Sequence, residues 1–242
     1  MLWEASTDKP IKLKALLEIL LQNLDSARLT VTQQGITVAD CQNSMTVTAS
    51  IAASAFCSWA YNSDRPVIYA GVPHAALQDL KTFKSKSKVT LCLMGDPDCS
   101  ILTMKIVVVN GDMSTSINMV VNHCQQEAAV DHPTPLSSFS LKQTEFTILC
   151  KTFKQGPVTL GSFGGRLVAS GGIDGIKVKE VAFGAPDNSV PTVKVLLQAE
   201  KLTRLSKMGQ FSDGLLIVHV SEGSVTVRAS GMLGVMTMSI LS

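Results

Sequence analysis

One local pattern occurs four times in this chain and restricts its fold more than anything else in it. In "KLKALLEILLQNL" (12–24) leucines fall at 13, 16, 17, 20, 21 and 24, the spacing that gives a helix one apolar face. "RLTVTQQGITVADC" follows, where Leu29 and Val31, then Ile36 and Val38, alternate with polar residues around a Gln-Gln-Gly turn, which predicts a hairpin. The pattern returns at "PHAALQDLKTFK", with Pro73 in the first turn and Ala76, Leu77, Leu80 and Phe83 on one face, before "KVTLCLMGDPDCSILTMKI". It returns again at "TEFTILCKTFK" with Phe146, Leu149, Cys150 and Phe153, and at "EKLTRLSKM" with Leu202, Leu205 and Met208, each ahead of a further hairpin.

The four units pair into two halves. Gly35 and Gly165 occupy matching hairpin turns 130 residues apart, and Lys81 and Lys207 matching helices 126 apart. These offsets predict a domain over 1–121, an extended connecting linker over 122–138 and a second domain over 139–242. Strand-like runs such as "MKIVVVNG", "MSTSINMVVNH", "IKVKEVAFG" and "VPTVKVLLQAE" outnumber helical ones, so the expected class is α+β, two similar domains dominated by antiparallel sheet.

Charge is sorted by element. Over 12–24, 73–88, 142–154 and 200–208 there are twelve basic residues, Lys12, Lys14, Lys81, Lys84, Lys86, Lys88, Lys142, Lys151, Lys154, Lys201, Arg204 and Lys207, against four acids, Glu18, Asp79, Glu145 and Glu200. Twelve against four is a net +8 in a chain whose total is +2, which leaves −6 elsewhere. Helices skewed this way in four related units predict contact with phosphates, without base preference because no base-reading or stacking signature accompanies them.

Signals for catalysis are missing. There is no G-x-x-x-x-G-K-[ST] and no G-x-S-x-G, and "GSFGGRLVASGGIDG" lacks the strand, loop and helix order that cradles a pyrophosphate. No catalytic residue, metal or cofactor is therefore expected. Cys41, Cys57, Cys92, Cys99, Cys124 and Cys150 form no C-x-x-C pair, and "MLWEASTDKP" lacks the basic start and apolar core of a secretory signal, so free and mostly buried thiols in a reducing compartment are expected. His74, His123, His132 and His219 are scattered, and His123 and Cys124, adjacent in a strand-like run, point to opposite faces. No segment is long and apolar enough for a membrane span.

Each half resembles a domain of the sliding clamps of DNA replication, the proliferating cell nuclear antigen family. "MLWEA" with "KLKALLEIL", "QQGITVADCQNSMTVTASI", in which Gln42 stands where the family often has aspartate, and "YNSDRPVIYAGVPHAALQDLKTFKSKSKVTL" carry the likeness in the first half. "TEFTILCKTFKQGPVTLGSFGGRLVASGGIDG" and "EKLTRLSKMGQFSDGLLIVHV" carry it in the second. The resemblance implies a homotrimeric ring of two-domain subunits, helices on the inner face and sheets outside, which encircles double-stranded DNA and tethers DNA polymerase and other proteins bearing a clamp-binding motif, after a clamp loader has opened it. It implies DNA-facing lysines at Lys14, Lys81, Lys151 and Lys207; charge and position add Lys12, Lys84, Lys86, Lys88, Lys154 and Arg204. A pocket for the partner motif is implied at Cys41, Met45, Ala128, Val130, Ile240 and Leu241. Subunit contacts are implied on edge strands at Thr103, Lys105, Val107 and Val109 and at Ile176, Val178, Val181 and Phe183.

The pI near 8.2 departs from the acidic norm of cellular members and points to a viral or fast-evolving clamp, at work in the nucleus or in the replication compartment of an infected cell. An open monomeric or dimeric processivity factor, a checkpoint-clamp subunit and an adaptor that binds only proteins are the other readings.

Overall fold

The computed structural model describes residues 1–42, 44–123, 131–173 and 177–242. The first part of the chain forms β1 (Trp3–Thr7), α1 (Pro10–Asn23), β2 (Ser26–Thr32), β3 (Gly35–Gln42), β4 (Met45–Ala52), β5 (Ser58–Tyr61), β6 (Ile68–Pro73), a 3₁₀ helix over His74–Thr82, β7 (Lys88–Met94), β8 (Ile101–Asn110) and β9 (Met113–Asn122). Then come β10 (Ser137–Leu141), α2 (Gln143–Thr152), β11 (Pro157–Phe163), β12 (Arg166–Ile173), β13 (Lys177–Phe183), β14 (Val193–Gln198), α3 (Ala199–Leu205), α4 (Met208–Phe211), β15 (Leu216–Ser221), β16 (Ser224–Gly231) and β17 (Gly234–Leu241). The class is α+β with large antiparallel sheets, as the alternation in the sequence implies.

Two compact units emerge. One holds Met1–Asp40, Val47–Val130 and Gly231–Val235; the other holds Cys41–Thr46, Asp131–Ser230 and Met236–Ser242. In the first, the strands follow the hydrogen-bonded order β4, β3, β2, β6, β9, β8, β7, β1, β5, and α1 packs against the 3₁₀ helix. In the second, β10, β15, β16 and β17 are neighbours, β13, β12, β11 and β14 form a separate four-stranded sheet, and α2 packs on α3 and α4.

The leucine spacing explains α1. Pro10 opens it, where a missing N–H costs nothing, and Leu13, Leu16, Leu17, Leu20 and Leu21 are all buried. Each contributes on the order of 1.5–3 kcal/mol by leaving water. Leu24, with φ −123° and ψ 142°, turns the chain into β2.

The second helix differs from expectation. A helix over 73–88 was implied by the sequence, but Pro73 ends β6, the helix is 3₁₀ and it stops at Thr82, whose hydroxyl donates to Asp79 O at 2.7 Å. Ala76, Leu80 and Phe83 are its buried anchors. Beyond them, alternating lysine and serine supply no apolar periodicity, and Lys84 and Lys88, four residues apart, would repel on one face of a continued helix. Lys84 and Lys86 therefore sit in a turn, and Lys88 begins β7. The fourth helix is broken as well, with Ser206 and Lys207 separating α3 from α4.

Two of the hairpin glycines are obligatory. Gly164 and Gly165 link β11 to β12 with φ +54° and +73°, the pair of left-handed residues that a tight hairpin turn requires. A Cβ on Gly165 would lie 2.2 Å from the Asp187 carbonyl oxygen, whereas one on Gly164 would meet only the Asn188 side chain at 4.0 Å. Gly164→Ala is expected to cost about 1–2 kcal/mol of stability from conformation alone. Gly165→Ala is expected to cost clearly more because backbone must also move, and thermal unfolding of the two variants side by side checks the order.

The cysteines correct another expectation. Among the described residues all are free, but Cys41, Cys57 and Cys99 are exposed and only Cys92 and Cys150 are buried. The exposed ones occupy an outward position on β3, out of phase with the buried Ile36 and Val38, the approach to β5 and the turn before β8. Burial pushes the Cys150 thiol far up, and burial and then Glu4 raise that of Cys92. Iodoacetamide at neutral pH is expected to modify Cys41, Cys57 and Cys99 in the native protein and to reach Cys92 and Cys150 only on unfolding, as read by peptide mass mapping.

Candidate nucleic-acid interface

In the first unit, exposed positive charge is concentrated after α1. Lys81, Lys84, Lys86 and Lys88 are all exposed, whereas Lys12 and Lys14 are half-buried and the Lys14 ammonium lies 4.0 Å from Glu18. The helix that carries the most leucines thus has little surface left for cations. The turn that follows the 3₁₀ helix has no such constraint.

In the second unit, Lys151 is exposed on α2, Lys154 just beyond it and Arg204 in the last turn of α3, while Lys207 is half-buried at the start of α4. The Thr203 hydroxyl reaches the Cys150 carbonyl at 3.4 Å, which sets the ends of α2 and α3 side by side and brings the neighbouring Lys151 and Arg204 into one region. α4 packs closely on α2 at Gly209, where a Cβ would make ordinary contact with Gln143, Phe146 and Thr147 at 3.5–3.7 Å. Glu145 does not offset these cations freely. It accepts the Lys142 N–H at 2.7 Å, in the first turn where the helix favours an acid. Beyond α2 a cleft of about 370 Å³ is lined by Thr152, Phe153, Lys154, Gln155, Gly172 and Lys179, which adds a lysine that the sequence reading did not single out.

The residues read as a partner pocket separate. Met45 is fully buried with its sulfur 4.0 Å from the Arg204 guanidinium, and Ile240 is fully buried too, so neither offers open surface. Cys41 is exposed and Leu241 is 41% exposed. The Leu241 N–H donates to Ser44 O at 2.9 Å and its carbonyl accepts from Lys201 at 2.7 Å, which ties the last strand to the loop after β3. Ala128 and Val130 lie outside the described residues.

One proposed subunit edge is displaced. Thr103, Lys105, Val107 and Val109 lie on β8, which is paired on both sides; Thr103, for instance, faces Met94 on β7 and Val120 on β9. The open edge is the next strand. β9 is paired along its length with β8, but among the described residues its only register partner on β6 is Gly71, opposite Asn122. Met113 and Val120 are accordingly 73% and 61% exposed. In the second unit β13 ends its sheet, with Val178 77% exposed and Val181 and Phe183 half-buried; Ile176 lies outside the described residues.

Comparison with known proteins places this geometry. The chain is 61% identical over 242 residues to the uncharacterized protein 084R of Frog virus 3 (isolate Goorha), covering 99% of each chain. No family model matches. In structure it is similar to the proliferating cellular nuclear antigen of Entamoeba histolytica, with a TM-score of 0.81 and 14% identity over 99% of this chain and 98% of that one. It is similar also to a chain of the PCNA2–PCNA3 complex of Sulfolobus tokodaii, with a TM-score of 0.80 and 14% identity over 98% of both.

An open edge offers unpaired backbone to a further strand, and exposed side chains on it can be altered without touching a core. Val120→Glu and Val178→Glu are each expected to keep the melting temperature of the isolated chain and to shift the protein at micromolar concentration toward monomer in analytical ultracentrifugation.

Proposed function

Because the chain belongs to the same family as protein 084R of Frog virus 3 and carries the fold of the proliferating cell nuclear antigens, we propose that it is a DNA sliding clamp, a processivity factor that acts by holding duplex DNA and not by catalysis. The observation that carries this reading is the distribution of exposed charge. In the helical segments and the turns that follow them, Lys81, Lys84, Lys86, Lys88, Lys142, Lys151, Lys154 and Arg204 are exposed, against the exposed acids Asp25, Glu200 and Asp213. Such a surface neutralises phosphates and reads no bases.

In this reading, copies join head to tail through β9 of one and β13 of the next, and three of them close a ring. Weak phosphate contacts let the ring slide, and topology retains it. Lys81 and Lys151 are the exposed members of the lysine set matched to the family, and Lys14 and Lys207 contribute less because each is half-buried. Cys41 and Leu241 supply described surface near which the motif of a polymerase or another replication or repair protein docks, raising its effective concentration at the DNA. A clamp loader opens the ring. The viral relative supports a site of action where viral DNA is replicated.

Solution mass and DNA topology test the reading together. Light scattering at micromolar concentration is expected to give a trimer, and protein loaded on closed-circular DNA is expected to stay through rising salt while it leaves linear DNA by the ends. A monomer or dimer that leaves both forms at the same salt would replace the ring with an open factor held by charge.

A further inference from the structure

Between the 3₁₀ helix and β7 the chain reads Phe83-Lys84-Ser85-Lys86-Ser87-Lys88, with three lysines in five residues and all three exposed. Like charges this close repel, and serine and lysine give such a stretch no apolar reason to hold one shape. It is nevertheless built. Ser87 is 2% exposed, and its hydroxyl accepts the Lys84 N–H at 2.8 Å while donating to the carboxamide oxygen of Asn110. The Ser87 N–H closes the turn on the Lys84 carbonyl at 3.1 Å. Phe83 and Val89, 2% and 0% exposed, anchor it on both sides. Asn110 ends β8, and the hairpin beyond it carries one acid, Asp112, so the lysines remain in excess.

We infer that this turn is a preorganised phosphate-binding element for duplex DNA, with Ser87 and Asn110 as its positioning residues. The inference rests on the DNA-binding reading above. Binding through a mobile loop costs the ordering of its backbone, and a turn already fixed by a buried hydroxyl has met that cost in folding. The lysine stems stay mobile and touch phosphates as point charges. The two contributions separate experimentally, because the slope of affinity against salt counts the cations engaged, whereas preorganisation enters equally at every salt concentration.

The experiment is fluorescence anisotropy of a labelled linear duplex with the full chain across a salt series. Ser87→Ala and Asn110→Ala are expected to weaken binding about three- to tenfold at each salt with the slope unchanged, and Ser87→Thr, which keeps the hydroxyl, to restore it. Lys84, Lys86 and Lys88 changed together to Ala are expected to make the slope shallower by about 0.9 for each lysine engaged. Because Asn110 is only half-buried, Asn110→Ala tests the idea even where Ser87→Ala disturbs β7. If both alanine variants bind like the parent, the positioning role falls and the clamp reading stands. If the triple lysine variant keeps the parent's slope, the turn is not the phosphate element. If the parent shows no salt-dependent affinity for duplex DNA, the DNA-binding reading itself falls.

Discussion

Each helical segment of this chain must hide one face completely, and that requirement decides where charge can go. Leu13, Leu20, Leu80, Phe146, Leu202, Leu205 and Phe211 are at most 1% exposed. Burial on this scale is worth about 1.5–3 kcal/mol for each side chain, whereas a surface pair such as Lys14 with Glu18 is worth well under 1 kcal/mol. Packing therefore fixes the backbone, and the cations take whatever surface remains. In α1 that surface is narrow, so its lysines are half-buried; in the turn after Phe83 it is wide, and three lysines in succession stand free of the core.

This hierarchy explains what was legible in the sequence. Leucine spacing and strand alternation report burial, and burial is what the fold obeys, so the α+β class and the four helix-plus-hairpin units could be read directly, while the segments 12–24 and 142–154 missed the ends of α1 (Pro10–Asn23) and α2 (Gln143–Thr152) by one or two residues. Edge status could not be read. β8 and β9 both alternate, and only the pairing between strands makes β8 covered on both sides while β9 meets β6 at a single pair among the described residues, which is a long-range fact that no window of sequence contains. The same holds for Met45 and Ile240, apolar residues whose place in a core or on a surface depends on which strands cover them. Ser87 escaped notice for a different reason: a serine between lysines reads as solvent-facing loop until Asn110, 23 residues away, arrives as its partner.

The open edges are what the proposed ring relies on. β9 reads MSTSINMVVN, without a charge or a proline to deter pairing, while β13 carries the exposed Lys179 and Glu180. Folded proteins blunt exposed edges with such charges, and β9 has none of its own. The proposed pairing of β9 with β13 would be heterologous, the kind of contact that continues until its rotation closes a ring. The charges on β13 disfavour its pairing with itself, where lysines of both strands would approach one another.

A near-neutral chain can still bind a polyanion, because the phosphates do not sense the total. At physiological ionic strength the screening length is about 8 Å, so a backbone phosphate near Lys84 or Lys151 responds to the cations within that reach and hardly to acids on distant strands. The +8 on the helical segments is then the operative charge, and the −6 on the rest of the chain has its own consequence. In the proposed DNA-binding reading it leaves the remaining surface mildly repulsive to DNA, so that orientation would follow from the sorting of charge and need no base contact at all. A uniform basic surface of the same total would bind DNA in any orientation, and only a sorted one selects the face on which a sliding contact is useful.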